Sequence, residues 1–241
     1  MLTIKELRAV TQSKRRDFIY SLMDYLGYYP AKILIETKIT ANQITILWIV
    51  GQVISSLFVM YGTYWSMLLG VVSFQLFFIL DCTDGIVARY KKQFSLNGVY
   101  LDYLGHYINN PLLLISLGIG VFRMNGDVYA VFIGILAALF FLLNKATTLN
   151  LLWYSDKDHR VLIETSFEKS LLKNQRTLLY SIFAFFRLEY IFNFMFFGVL
   201  SGYAYYVLIV YTIFFFLELV RKISMQLLSN HNLDKTKGYL K

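Results

Sequence analysis

The chain has 241 residues, of which 57% are hydrophobic, 18% aromatic and only 16% charged. A soluble domain carries about a quarter charged residues, so this composition excludes an ordinary water-facing globule, and the long apolar runs exclude disorder. The net charge of +8 lies in short basic segments between apolar runs, a pattern that fits a lipid bilayer with anionic headgroups and not a nucleic-acid partner.

Along the chain, residues 3–38 come first. Ile4, Leu7, Val10, Phe18 and Leu22 alternate there with Lys5, Arg8, Lys14, Arg15 and Arg16. The basic residues interrupt the region before any apolar core, so it is not a secretory signal. An amphipathic helix of this kind either lies in the headgroup plane or packs on the end of a helix bundle. A membrane-crossing helix needs ~20 mostly apolar residues. Candidates follow near Gln43–Gly62, at Tyr64–Leu80 with a helical continuation through Arg89, and at Gly98–Phe122. Further ones lie at Val128–Leu149, near Leu178–Leu200 and near Tyr203–Leu227. Arg187 and Glu189 interrupt the fifth.

The expected fold is therefore all-α: a polytopic membrane helix bundle of about six transmembrane helices, preceded by an N-terminal amphipathic interfacial helix. The expected division is a juxtamembrane segment over 1–38, a transmembrane domain over 39–228 and a polar tail over 229–241. Lysines and arginines crowd the N-terminal segment, the loop Arg89–Lys92, the stretch Lys145–Arg176 and the tail from Arg221, whereas Arg123 stands nearly alone on the opposite connections. The positive-inside rule then puts the basic loops and both termini in the cytoplasm. Single Cys82 permits no internal disulfide.

The chemistry concentrates between Asp81 and His106. Charged residues in apolar helices are costly and read as functional. Asp81 and Asp84 are three apart and share one helix face, while Asp102 and His106 are four apart on the next span, with Gly98 one turn before Asp102. The short basic loop between these helices predicts antiparallel neighbours whose acidic faces meet just inside the cytoplasmic boundary. Three converging carboxylates repel one another unless a divalent cation joins them, and oxygen ligands favour Mg²⁺ or Mn²⁺. Gly85 leaves room for a phosphate or sugar, Arg89 is placed to hold a phosphate oxygen, and Ser95 offers a hydroxyl. Together these describe a metal-assisted pyrophosphate site.

Asp81, Asp84, Gly85, Ala88, Arg89, Gly98 and Asp102 resemble the motif of the CDP-alcohol phosphotransferase family in residue and spacing. That motif is Asp-x2-Asp-Gly-x2-Ala-Arg-x8-Gly-x3-Asp-x3-Asp, and it falls across the second and third spans, as in the family. Thr40-Ala41-Asn42-Gln43-Ile44-Thr45 is similar to the segment that opens the family's first span, with Ala41 where many members have proline. The resemblance covers Pro30 to about Leu149. It implies that Asp81 and Asp102 bridge two metal ions and that Asp84 completes the first. It assigns Asn42, Thr45, Gly85, Ala88, Arg89, Ser95 and Gly98 to the CDP part of a donor, either CDP-diacylglycerol or another CDP-alcohol. An acceptor hydroxyl then attacks the phosphate distal to cytidine and CMP leaves, as in phospholipid biosynthesis. The resemblance also implies a homodimer as one form of assembly.

His106 stands where the family has its last aspartate, the general base and a ligand of the second ion. Imidazole accepts a proton, with an unperturbed pKa of ~6.5. It is a poorer ligand for Mg²⁺ than a carboxylate, so the second ion would be weaker, absent, or a softer ion such as Mn²⁺. The other readings are a member that binds CDP with altered or lost catalysis, a different acceptor, or a histidine satisfied at a helix interface.

Lys145 and Arg187 are candidates for binding the acceptor, against a snorkelling lysine and a helix break respectively. Glu218 and Arg221, three apart, read as a structural pair, and His159 carries no signal. Tyr28, Tyr29, Tyr61, Tyr64, Trp65, Trp153 and Tyr154 read as an interfacial belt. A polyprenyl transferase would need a second aspartate-rich motif, and Asp156-Lys157-Asp158 has the wrong spacing. A transporter or membrane scaffold would not require Gly85, Ala88, Arg89 and Gly98 at these intervals.

Overall fold

The structure is a computed structural model that describes residues 3–11, 18–154 and 191–236. Arg187, Glu189, His159, the Asp156–Asp158 stretch and most of the fifth expected span lie outside the described residues, as do the side chains of Trp153 and Tyr154. Among the described residues there are eight helices and no strand. They are α1 (Ile4–Thr11), α2 (Phe18–Leu34), α3 (Ala41–Tyr61), α4 (Tyr64–Lys91), α5 (Leu96–Asn125), α6 (Tyr129–Tyr154), α7 (Ile191–Leu200) and α8 (Ala204–Thr236).

Among the described residues, four segments are long and apolar enough to cross a membrane: Ala41–Tyr61, Tyr64–Lys91, Leu96–Asn125 and Tyr129–Thr147. They coincide with the first four spans read from hydropathy. The sixth expected span falls on α8, and α7 holds the described end of the fifth. This is a polytopic helical membrane bundle, an architecture in which helices satisfy their interior backbone groups within themselves.

Local sequence sets the helix ends. Thr40 starts α3 with a reciprocal cap: Gln43 N–H donates to its hydroxyl, and the Thr40 N–H donates to Gln43 Oε1. Thr63 and Ser66 repeat that device at α4, and Gly62 closes α3 in the left-handed region at φ 83°. Lys92 ends α4 at φ 54°, donating its N–H to the Ala88 carbonyl.

Helix α3 is the centre of the packing. It lies along both α4 and α5, and α5 in turn packs on α6, α6 on α8, and α7 on α4 and α8. The sequence predicts neighbours whose acidic faces meet, and Asp81 of α4 and His106 of α5 do approach to 3.8 Å. Elsewhere the two helices touch at only a few positions, and α3 packs along both. A short loop fixes two helix ends but not the angle between the helices.

Small residues allow the close approaches. A Cβ on Gly118 of α5 would lie 2.5 Å from the Ala130 carbonyl oxygen and 3.2 Å from the Gly134 Cα of α6. Membrane helices gain little from the hydrophobic effect against one another, so such van der Waals contact carries their association. A large apolar cluster, including Phe74, Leu117, Phe141, Met195 and Phe215, joins α4 to α8.

A second, smaller cluster buries Leu7, Tyr28, Ala31, Ile44, Ile86 and Val87. It seats α1 and α2 against α4, so α1 packs on the bundle. Tyr28, expected in an interfacial belt, is buried at 5% exposure, because α2 turns it toward α1 and α4. Tyr29, Tyr61 and Trp65 are exposed. Arg221 donates from Nε to Glu218 Oε2 at 2.7 Å and from Nη2 to Oε1 at 2.5 Å, a bidentate pair.

Candidate active site

The gap between α4 and α5 is a cleft of about 500 Å³ with α3 as its back wall. Two helical spacings fill it with acid. Asp81 and Asp84 project from one face of α4, and Asp102 and His106 from one face of α5. Their helices come from opposite walls, so the sequence-distant pairs meet. His106 Nε2 is 3.8 Å from Asp81 Oδ1 and 3.8 Å from Asp102 Oδ1. One ligand atom from each of the three lies within 4.8 Å of the others. The Asp81 side chain is 10% exposed and that of Asp102 44%, so the inner carboxylate is shielded and the outer one faces the cleft.

Two carboxylates and an imidazole at this separation fit a divalent cation that accepts oxygen and nitrogen ligands. A hard Mg²⁺ suits the carboxylates, and Mn²⁺ tolerates the imidazole better. The donor set therefore fits the metal that the motif implies.

Asp84 stands apart from this trio. It is buried, and its Oδ2 accepts from Thr45 Oγ1 at 2.6 Å and from Trp48 Nε1 at 2.9 Å. Thr45 lines the cleft as expected, but its hydroxyl proton is directed at Asp84. A buried carboxylate held by two donors keeps one orientation.

The rest of the expected donor set also lines the cleft: Asn42, Gly85, Ala88, Arg89, Ser95 and Gly98. Side chains stitch their elements together. Lys91 Nζ donates to the carbonyls of Leu34, Thr37 and Ile39 at 3.0, 2.8 and 2.7 Å. This binds the α2–α3 connection to the end of α4. The Ala41 N–H donates to Gln93 Oε1 at 3.0 Å, and Asn42 Nδ2 to Ser95 Oγ at 3.4 Å. The first turns of α3 and α5 thus border the cleft together, and helix N-termini favour anions. Gly98 keeps this contact close, since a Cβ there would lie 2.6 Å from Asn42 Oδ1 and 3.1 Å from Ser95 Oγ and would push the two side chains aside.

Arg89 reaches back over Gly85: a Cβ on Gly85 would sit 3.2 Å from its Nη1. Its Nε donates to the Thr11 carbonyl at 2.8 Å, so α1 fixes the guanidinium. Lys145 is on α6, outside the residues that line the cleft, with Nζ 5.9 Å from the Phe141 ring centre.

Three residues at the site escape sequence reasoning. Asp24 of α2 lines the cleft as a further carboxylate, and Gln93 ties the loop to α3. Trp48 is fully buried, donates to Asp84 and lies against the His106 ring with centroids 5.3 Å apart. Asp24 had a legible signal, an acid within an apolar helix. Trp48 had none, because an indole in a span reads as core or interface.

Comparison with known proteins agrees with the motif. The family model of CDP-alcohol phosphatidyltransferase matches residues 38–217. That stretch covers α3 through the first part of α8 and includes the cleft residues that follow α2. No curated protein matches the chain. With a matched stretch longer than half the chain and its motif residues gathered in one cleft, this integral membrane protein belongs to the CDP-alcohol phosphatidyltransferase family.

Proposed function

We propose that the protein transfers a phospho-alcohol group, phosphatidyl or similar, from a CDP-linked donor to an acceptor hydroxyl, with release of CMP, in phospholipid biosynthesis. The observation that carries this reading is the meeting of Asp81, Asp102 and His106 within 4.8 Å in a cleft that the donor motif also lines. Asp81, Asp84 and Asp102 are the residues to hold Mg²⁺ or Mn²⁺, two ions in all, with His106 a weaker ligand of the second. Bound there, the ions would neutralise the pyrophosphate and the leaving phosphate.

The chain's own groups do the rest. Asn42, Ser95 and the backbone at Gly85 and Gly98 orient the nucleotide, and Arg89 holds a phosphate oxygen. The acceptor oxygen attacks the phosphorus distal to cytidine. The bond from that phosphorus to the bridging oxygen breaks, and the oxygen leaves with CMP. A ring nitrogen of His106 that holds no ion takes the acceptor proton. The cleft lies at the end of the bundle that carries Arg89, Lys91 and Lys92, and basic loop ends support a cytoplasmic active site and cytoplasmic termini.

The test is CMP release by the purified chain with a panel of CDP-linked donors and acceptors, in Mg²⁺ or Mn²⁺. His106→Ala is expected to keep donor binding and lose transfer. Full transfer by that variant removes His106 as the base. Absence of CMP release from the wild type with every donor defeats the reading.

A further inference from the structure

We propose that Trp48 is a positioning residue that sets both arms of the site at once, the Asp84 carboxylate on α4 and the His106 ring on α5. The inference rests on reading Asp84 and His106 as site residues. Trp48 is not among the residues lining the cleft, so it acts through these two and not on substrate.

The geometry points to this role from three directions. The indole Nε1–H, a donor with no acceptor function, bonds Asp84 Oδ2 at 2.9 Å. The ring lies against the His106 ring at 5.3 Å between centroids and 36° between planes, which limits imidazole rotation. Helix α5 comes this close only because residue 105 is glycine. A Cβ there would strike Trp48 Cη2 and lie 2.6 Å from Ile49 Cγ1. Because α3 packs along both α4 and α5, a rigid side chain on α3 that touches a residue of each gauges the two walls against each other at this level. A leucine here would fill space as well but could neither donate to Asp84 nor present a flat face to His106.

The experiment uses the full chain in detergent, with Mn²⁺ binding followed by electron paramagnetic resonance in the presence of CMP. Trp48→Phe keeps the ring face and removes the donor. Gly105→Ala presses on the ring and leaves the donor in place. Each is expected to weaken Mn²⁺ binding by about 10- to 100-fold, the usual effect of losing an outer partner of a metal ligand. Gly118→Ala, which disturbs α5–α6 packing instead, is expected to lower the melting temperature and leave Mn²⁺ binding unchanged. Wild-type Mn²⁺ affinity in both Trp48→Phe and Gly105→Ala overturns the proposal, as does equal weakening in Gly118→Ala. Should Trp48→Phe not fold, Gly105→Ala against Gly118→Ala decides the matter. A wild-type chain that binds Mn²⁺ yet releases no CMP defeats the transfer reading alone, and the comparison of variants still reports on Trp48.

Discussion

The bundle has two regions built on different terms. Between α5 and α6 the helices touch backbone to backbone, α8 packs beside them, and Leu114, Leu117, Phe141 and Phe215 leave almost no exposed surface. Between α4 and α5, at the other region, the helices stand apart and the space is lined by carboxylates. The close-packed region gains dispersion contacts along its length. The open one forgoes them, and it is held instead by point contacts: Lys91 to three carbonyls, Gln93 to Ala41 and Asn42 to Ser95. Substitutions in one region should change stability with little effect on chemistry, and in the other the reverse.

The largest effect should come from Asp81→Asn or Asp102→Asn. Losing one charge from the metal cluster removes several kcal/mol of transition-state stabilisation, so CMP release should fall by about a thousandfold. The melting temperature should barely move in Asp102→Asn, whose side chain faces the cleft at 44% exposure. Retained transfer in either variant would end the metal assignment. Leu117→Ala is the mirror experiment. Leu117 is fully buried, and truncation should cost about 2–5 kcal/mol of stability while turnover per folded molecule stays at the wild-type level. A matching loss of turnover would show that the two regions are not separable.

Arg89→Lys should be milder. Lysine keeps the charge but loses the fork that lets one guanidinium hold the Thr11 carbonyl and a phosphate together. The KM for the CDP donor should rise about tenfold, the worth of one charge-assisted bond of ~1.5 kcal/mol, with kcat little changed. A kcat defect without a KM change would place Arg89 elsewhere in the reaction. Lys145→Ala should have the smallest effect: a rise of up to about fivefold in the acceptor KM, as for a solvent-screened charge contact. No change at all would remove Lys145 from acceptor binding.

Much of this is legible in the sequence. Charged residues spaced by one helical turn in apolar runs can be read directly, which is why Asp81, Asp84, Asp102 and His106 pointed to one place. Four spans were readable for the same reason, since a bilayer demands a simple length and polarity. The gap between α4 and α5 was not readable, because loop length constrains helix ends and says nothing about what lies between the helices. Tyr28 was misplaced because an aromatic residue near a span end looks the same whether a lipid headgroup or α1 covers it. Trp48 was invisible because hydropathy scores an indole as apolar and ignores where its N–H points.

The Arg89–Thr11 hydrogen bond joins residues 78 positions apart in sequence. During synthesis α1 emerges before α4, so its docking site is incomplete until the end of α4 has been made. Its alternation of apolar and basic residues gives it a resting place on the bilayer surface in that interval. Assembly of this corner therefore waits on the completion of α4. The arginine comes under control only when the last turn of α4 has left the ribosome and recruited a helix that was waiting beside it.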